Sequence, residues 1–295
     1  MSGPLAGLRV VELGSDIAGP YCTKLLVDLG ADVYKIEPPS GDPLRSWGTT
    51  VDTAPASGHS GLFEYLNAGK RGATIDPERR DAVAPVRDLI AGADLLVESL
   101  SPGVLAGPPW RLDRDSLPLL NPGLVVVRIS DYGQTGPRRD RVTTPLTLQA
   151  SSGWVSMREP NRPPVQSGVR VPEFIVGAYA AMGALTALGV AAATKQVVEV
   201  DVSAHESLLS ALPYPMLMAE RLQNLGLPTN SRAAPMLGIV RASDGWIGIN
   251  CLTGQHWLDV CAMIGLPEFG ERQPDEWGVA AVGPRGAAPT PHAGH

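Results

Sequence analysis

Leu8-Arg-Val-Val-Glu-Leu-Gly-Ser-Asp-Ile-Ala-Gly-Pro-Tyr-Cys-Thr-Lys-Leu-Leu-Val-Asp-Leu-Gly-Ala-Asp-Val-Tyr-Lys-Ile-Glu37 decides the fold. Leu8–Leu13 and Asp32–Glu37 are short runs rich in β-branched and apolar residues, and Cys22–Leu29 between them carries helical spacing. Strand, helix and strand in such close succession make a βαβ unit, the building block of a parallel sheet. An acid, Glu37, ends the second strand, as in dinucleotide binders where it holds a ribose. The turn, however, offers only Gly14 and Gly19, and the G-x-G-x-x-G spacing that lets backbone approach a pyrophosphate is missing. This disfavours a nicotinamide enzyme. Ala18-Gly-Pro still opens a helix, and its free N–H groups can donate to an anion or a carbonyl.

The alternation continues outward. Asp94–Glu98, Leu124–Ser130 and Val197–Val202 read as further strands, and Glu78–Ala91 reads as a helix. The fold class is therefore α/β with a mostly parallel sheet, and residues 1–204 form its large domain. Ala54–Ser60 and Pro160–Gly168 read as loops. Residues 205–230 are a connecting helix and linker, with His205–Leu227 helical. Residues 231–277 look like the beginning of a smaller second domain, in which Ser243–Asn250 is a turn and strand and Gly254–Ile264 a helix. From Gly278 to His295 the chain is low in complexity and is expected to be disordered.

Composition narrows the function classes. The chain has 295 residues, 44% hydrophobic and 18% charged, enough for a sizeable core. A net charge of −6 without a basic cluster argues against nucleic acid as a partner. Three cysteines, Cys22, Cys251 and Cys261, lack metal-ligand spacing, and no metal is expected. That usage, and a start without a basic and apolar leader, fit a reduced cytoplasmic setting. The uncharged run Phe174–Thr194 is long enough to span a bilayer. It is mostly Ala and Gly, though, and Gly177, Ala180, Ala184, Ala187 and Ala191 make one smooth face, so a buried helix of a soluble protein is expected.

Glu173 stands directly before that run. A carboxylate there is either an ordinary helix-start acid, favoured by the helix dipole, or one held against apolar surface for chemistry.

Seven blocks occur in order: Ala18-Gly-Pro-Tyr-Cys-Thr-Lys-Leu-Leu, Leu29-Gly-Ala-Asp-Val-Tyr-Lys-Ile-Glu-Pro-Pro, Gly41-Asp-Pro-Leu-Arg45, Asn67-Ala-Gly-Lys-Arg71, Asp94-Leu-Leu-Val-Glu-Ser-Leu-Ser-Pro-Gly103, Tyr132-Gly-Gln-Thr-Gly-Pro137 and Gln149-Ala-Ser-Ser-Gly153. Together they closely resemble the class III CoA-transferases, the CaiB/BaiF family, which also holds acyl-CoA racemases. The resemblance runs from about Leu5 to Leu266. It implies a Rossmann-like large domain that binds coenzyme A or acyl-CoA, a smaller second domain and an interlocked homodimer. The family nucleophile is a carboxylate, usually Asp, shortly after a Pro-Pro-x-x-x-Gly loop. Counted from Pro163-Pro164-Val-Gln-Ser-Gly168, that position is Glu173, a Glu in place of Asp.

By the same resemblance CoA contacts fall on Ile17, Ala18, Pro38, Ile75, Asp76, Ser99, Leu100, Ser101, Thr143 and Thr144. Some relatives use basic side chains at Pro38 and Gly107, so phosphate charge would come from Arg45, Lys70, Arg71, Arg111 or Arg141. Each of these is by default a solvated surface cation of small energetic weight. The racemase branch has a His within a Gly-His-Asp block where this chain has Thr143-Thr-Pro145, which leaves proton exchange at Cα without a second acid/base group. A glycine-rich lid in the small domain has only Leu252-Thr-Gly-Gln-His256 to match it. His205, Trp47 and Trp246 read as helix-face and packing residues.

The expected activity is transfer of CoA between an acyl-CoA and a small carboxylic acid through a covalent glutamyl-CoA thioester on Glu173. The competing reading is an acyl-CoA-binding or partner subunit without turnover. Family members usually continue past the second domain to complete the first, so a partner chain completing the fold is also an expectation.

Overall fold

The structure is a computed structural model, and it describes residues 3–48, 59–79, 82–155, 163, 165–212, 237–250 and 254–269. The chain divides into two compact units, 1–155 with 164–212 and 156–163 with 213–295.

In the first unit six strands, β1 (Arg9–Leu13), β2 (Asp32–Glu37), β3 (Arg71–Thr74), β4 (Leu95–Glu98), β5 (Val125–Ser130) and β6 (Val198–Ser203), form one sheet in the order β3-β2-β1-β4-β5-β6. Every neighbouring pair is parallel. The α/β class and the mostly parallel Rossmann-like sheet are as the sequence implied. β3 was not legible, because all four of its residues are exposed on a sheet edge and carry no hydrophobic period.

Helices cover both faces, so the central strands are buried throughout and read as apolar runs. Alternate residues part to opposite sides. Val10, Val33, Leu95, Val97, Val125, Val127 and Ile129 point into one core, and Val11, Leu13, Ile36, Leu96 and Val126 into the other. The second core is closed by α3 (Val83–Ala91) through Val83, Val86 and Ile90, and by Leu117 of the single-turn α4 (Leu117–Leu120). α1 (Ala18–Asp28) and α6 (Val171–Thr194) close the first. α6 is long and apolar enough to cross a membrane, yet Ala180, Ala184, Ala187 and Ala191 are buried in this core. Its glycine matters at one point: a Cβ on Gly177 would sit 2.7 Å from the Ala18 carbonyl oxygen, so α1 and α6 meet at backbone distance.

Smaller pieces complete the unit. α2 (Gly61–Asn67) packs Phe63 and Leu66 on Ile17 and Leu44, α5 (Pro145–Ser151) starts at a Thr144–Thr147 capping box, and α7 (Ala204–Ala211) is capped by Ser203. His205 lies in the first turn of α7, as expected, 3.1 Å from the Ser151 carbonyl oxygen. The helix expected to reach Leu227 is described only to Ala211, and residues 213–230 lie outside the described residues.

The second unit contains an antiparallel pair, β7 (Leu237–Arg241) with β8 (Trp246–Asn250), followed by α8 (Gly254–Met263). The strand and helix expected there are present, and β7 adds a partner not read from the sequence. Trp47 and Trp246, read as packing residues, are instead 43% and 67% exposed. Cys251, residues 252 and 253 of the lid candidate and the 278–295 tail lie outside the described residues, as do residues 54–58 of the first loop and residues 160–162 and 164 of the second.

Candidate active site

In an open parallel sheet the ligand crevice forms where connections leave the carboxyl edge in opposite directions. Here that point lies between β1, which leads toward β2, and β4, which leads toward β5. The loop after β1 brings Ser15, Asp16 and Ala18, and the loop after β4 brings Ser99, Leu100, Ser101 and Pro102. Asp131 and Thr143 follow β5, Arg139 and Arg141 lie in the same segment, and Arg170 and Glu173 stand at the start of α6. Together they line a cleft of about 590 Å³. That volume is in the range of small-molecule sites.

Glu173 is in the first turn of α6, where the helix dipole favours a negative charge. Its side chain is only 12% exposed. Oε1 accepts a hydrogen bond from Arg170 Nε at 2.9 Å. Oε2 is buried and has no hydrogen-bond partner among the described residues. Burial pushes the carboxyl above its ordinary value, and the Arg170 charge and hydrogen bond oppose that rise without cancelling it. A desolvated carboxylate with one oxygen tied back and the other bare, on the wall of a cleft, is arranged as a nucleophile or a proton acceptor.

Behind the cleft lies a buried charge cluster. Glu12 and Lys35 face each other in the β1–β2 register, with Nζ 2.8 Å from Oε1. Lys70 Nζ lies 2.9 Å from Glu12 Oε2, which also accepts from Thr23 Oγ1 at 2.6 Å. Lys35 makes a further ion pair with Asp42 at 2.9 Å. Burial raises the Glu12 carboxyl, but Lys35, Lys70 and Thr23 outweigh it and hold Glu12 below the ordinary carboxylate range.

Of the residues expected to touch CoA, the structure gathers Ala18, Ser99, Leu100, Ser101 and Thr143 around Glu173 in one cleft. Five others stand outside its lining. Ile17 is fully buried against Leu44, Phe63 and Leu66, and Pro38 lies exposed beyond β2. Ile75 leans on the second core, Asp76 accepts from the Glu78 N–H at 3.0 Å, and the Thr144 hydroxyl caps α5.

Among the cation candidates the structure corrects Lys70. Lys70 is buried on Glu12, and burial lowers its pKa to about 8, so it is no surface phosphate partner. Arg45 forks onto Glu37 at 2.7 and 2.8 Å and lies 4.0 Å above the Phe63 ring. Arg71 pairs with Asp32 at 3.3 Å, and Arg111 is exposed outside the cleft. Only Arg141 lines it. Asp16, Arg139 and Arg170 were not singled out from the sequence. The only available signal was the position of Arg170, one helical step before Glu173.

A family model described as CoA-transferase family III matches residues 5–279. Succinyl-CoA–D-citramalate CoA-transferase from Chloroflexus aurantiacus is 36% identical over 275 residues, covering 90% of this chain and 66% of the relative. The beta subunit of succinyl-CoA–L-malate CoA-transferase from the same organism is 33% identical, again over 90% of this chain and 66% of its own length. The chain thus spans just under two thirds of these relatives. A subunit of succinyl-CoA:(R)-benzylsuccinate CoA-transferase from Thauera aromatica is 37% identical, with 94% of this chain and 68% of the relative covered. Among solved structures, a CaiB/BaiF family protein from Brucella suis superimposes with a TM-score of 0.76 at 30% identity, covering 92% of this chain and 72% of that one.

Proposed function

Because this chain belongs to CoA-transferase family III, we propose that it moves CoA from an acyl-CoA donor to a small carboxylic acid, with Glu173 as the covalent carrier. The observation that carries this reading is Glu173 on the cleft wall, a largely buried carboxylate whose Oε2 has no hydrogen-bond partner among the described residues. The carboxylate attacks the thioester carbonyl. The carbon–sulfur bond breaks, CoA leaves as thiolate, and a glutamyl–acyl anhydride remains. The thiolate then attacks the glutamyl carbonyl, which releases the donor acid and forms a glutamyl-CoA thioester. The acceptor carboxylate attacks that thioester and expels thiolate again. Return of the thiolate to the acceptor acyl carbon frees acyl-CoA and restores Glu173. Dividing the transfer into such steps is what a covalent carrier offers, and a half-enclosed cleft limits hydrolysis of the anhydride.

The relatives named above act, by their names, with succinyl-CoA and with hydroxy- or aryl-substituted diacids. Arg139 and Arg141 on the cleft wall would match the second carboxylate of such substrates. We infer succinyl-CoA and a dicarboxylic acid as the first pair to assay. An interlocked homodimer in the cytoplasm belongs to the same proposal. Met182, Leu185 and Val190, exposed along α6, support an apposed second chain.

The competing reading, an acyl-CoA-binding subunit without turnover, draws on the Arg170 bond that occupies Oε1. Mass spectrometry after incubation with succinyl-CoA separates the two. A hydroxylamine-sensitive CoA adduct on the peptide containing Glu173, absent from Glu173→Gln, is expected. CoA binding with no adduct in the wild-type chain would overturn the transferase reading in favour of the binding subunit.

A further inference from the structure

The guanidinium that holds Glu173 is itself held. Arg170 gives Nε to Glu173 and turns both terminal nitrogens to the two oxygens of Asp16, Nη1 at 2.6 Å from Oδ1 and Nη2 on Oδ2. A planar fork on a carboxylate fixes direction as well as distance, which a single ammonium cannot do. Asp16 is anchored in turn. Its backbone N–H donates to Asp42 Oδ1 at 3.2 Å, and Asp42 pairs with buried Lys35. The charge cluster inside the sheet therefore continues through Asp42, Asp16 and Arg170 to the carboxylate at the cleft.

The backbone on both sides of the fork is strained. Asp16 and Arg170 hold φ values of 64° and 53°, with Val169 at 58°. Left-handed backbone costs an ordinary residue about 1–2 kcal/mol, and such outliers persist where surrounding contacts over-determine them. Here the surrounding contacts are the fork itself.

We propose that Arg170, steadied by Asp16, is a positioning residue for Glu173: it binds Oε1 and fixes the direction of a side chain that lines the cleft, leaving Oε2 as the oxygen without a hydrogen-bond partner among the described residues. The proposal rests on the nucleophilic reading of Glu173. It also accounts for glutamate at this position. The longer arm adds a rotatable bond whose freedom must be frozen before attack, and an arginine one helical step upstream freezes it. Arg170 is the chief counterweight to burial on the Glu173 carboxyl, while the Asp16 charge pushes that carboxyl further up. The other charged groups lining the cleft are Asp131, Arg139, Asp140 and Arg141. On α1, Tyr21 meets Phe174 edge-on at 4.9 Å, with Cys22, Lys24 and Asp28 further along that helix.

The test uses the full chain labelled with 13C at glutamate carboxyls, Glu173→Gln supplying the assignment. In Arg170→Gln the Glu173 titration midpoint should rise by about one pH unit or more, the effect of losing an adjacent opposite charge. Arg170→Lys should restore most of the midpoint but little of the rate of adduct formation with succinyl-CoA, because an ammonium cannot keep the fork. Asp16→Asn gives a signature that a general loss of structure would not. It removes a negative neighbour, so the midpoint falls, yet adduct formation slows about tenfold or more as the fork loosens. Should Arg170→Gln fail to fold, Asp16→Asn carries the test. An unmoved midpoint in folded Arg170→Gln, or an undiminished rate in Asp16→Asn, overturns the proposal. If the wild-type chain forms no adduct, the transferase reading falls, and the Arg170→Gln titration still decides the positioning.

Discussion

Adding one methyl group at Gly177 should damage this protein, although the same change at another glycine of α6 should improve it. An ideal Cβ on Gly177 would lie 2.7 Å from the Ala18 carbonyl oxygen and 3.0 Å from Tyr21 Cβ. The oxygen belongs to backbone at the first residue of α1 and cannot swing aside. Reaching an ordinary contact of 3.4 Å would part the two helices by about 0.7 Å in a core packed at crystal density. Overpacking of this kind costs about 1–3 kcal/mol. Replacing glycine by alanine inside a helix returns about 1 kcal/mol of propensity. Gly189 isolates the second effect within a single chain, since it is exposed there and a Cβ would meet nothing within 4 Å, so the comparison is made on the monomer.

Gly189→Ala should therefore be more stable than wild type, and Gly177→Ala less stable than Gly189→Ala by about 1–3 kcal/mol. In thermal melts that gap is about 2–4 °C for each kcal/mol in a unit of this size. The displacement also reaches the cleft, because Ala18 lines it and Gly177 is one turn beyond Glu173. Adduct formation should slow by about tenfold or more. Equal stability of the two alanine variants would refute the claim that backbone contact, not composition, dictates glycine at 177.

Two further outcomes follow from the buried charges. Lys35→Met leaves Glu12 and Asp42 short of a partner inside the protein and should cost about 3–5 kcal/mol in urea unfolding at neutral pH. A loss under about 1 kcal/mol would mean that water or Lys70 already compensates them. Glu37 and Glu173 should respond to pH with opposite signs. At Glu37 burial raises the carboxyl, but the Arg45 fork, the Asp42 N–H and Lys35 bring it below the ordinary 4.5. Its contribution is therefore complete above pH 4.5 and is lost as pH falls through the folded value, so the deficit of Glu37→Gln should shrink on acidification. Glu173 is raised, so wild type loses stability as pH climbs from 4.5 through its folded value. Glu173→Gln should gain on wild type across that window and hold the gain above it. Denaturation midpoints of the three proteins from about pH 2 to pH 8 would check both, and parallel trends would contradict the assignment.

The central strands were legible because their apolar runs carry their own signal. Val10, Val33, Leu95, Leu96, Val125 and Val126 are buried wherever a parallel sheet is covered on both faces. Glu173 stood out for a similar local reason, as a lone acid before an uncharged run. β3 escaped because an edge strand of exposed residues is made by pairing with β2, not by its own pattern. Lys70, from its surroundings in sequence, looked like a surface cation, and only the fold seats it on Glu12, fifty-eight positions away in the chain. Asp16 and Arg170 are 154 positions apart and meet through two left-handed corners that no periodicity announces. Sequence determined the layers of this protein, since periodicity and burial are local properties of the chain. Tertiary structure alone decided which charges face one another, because ion pairing depends on distances set by closing long loops.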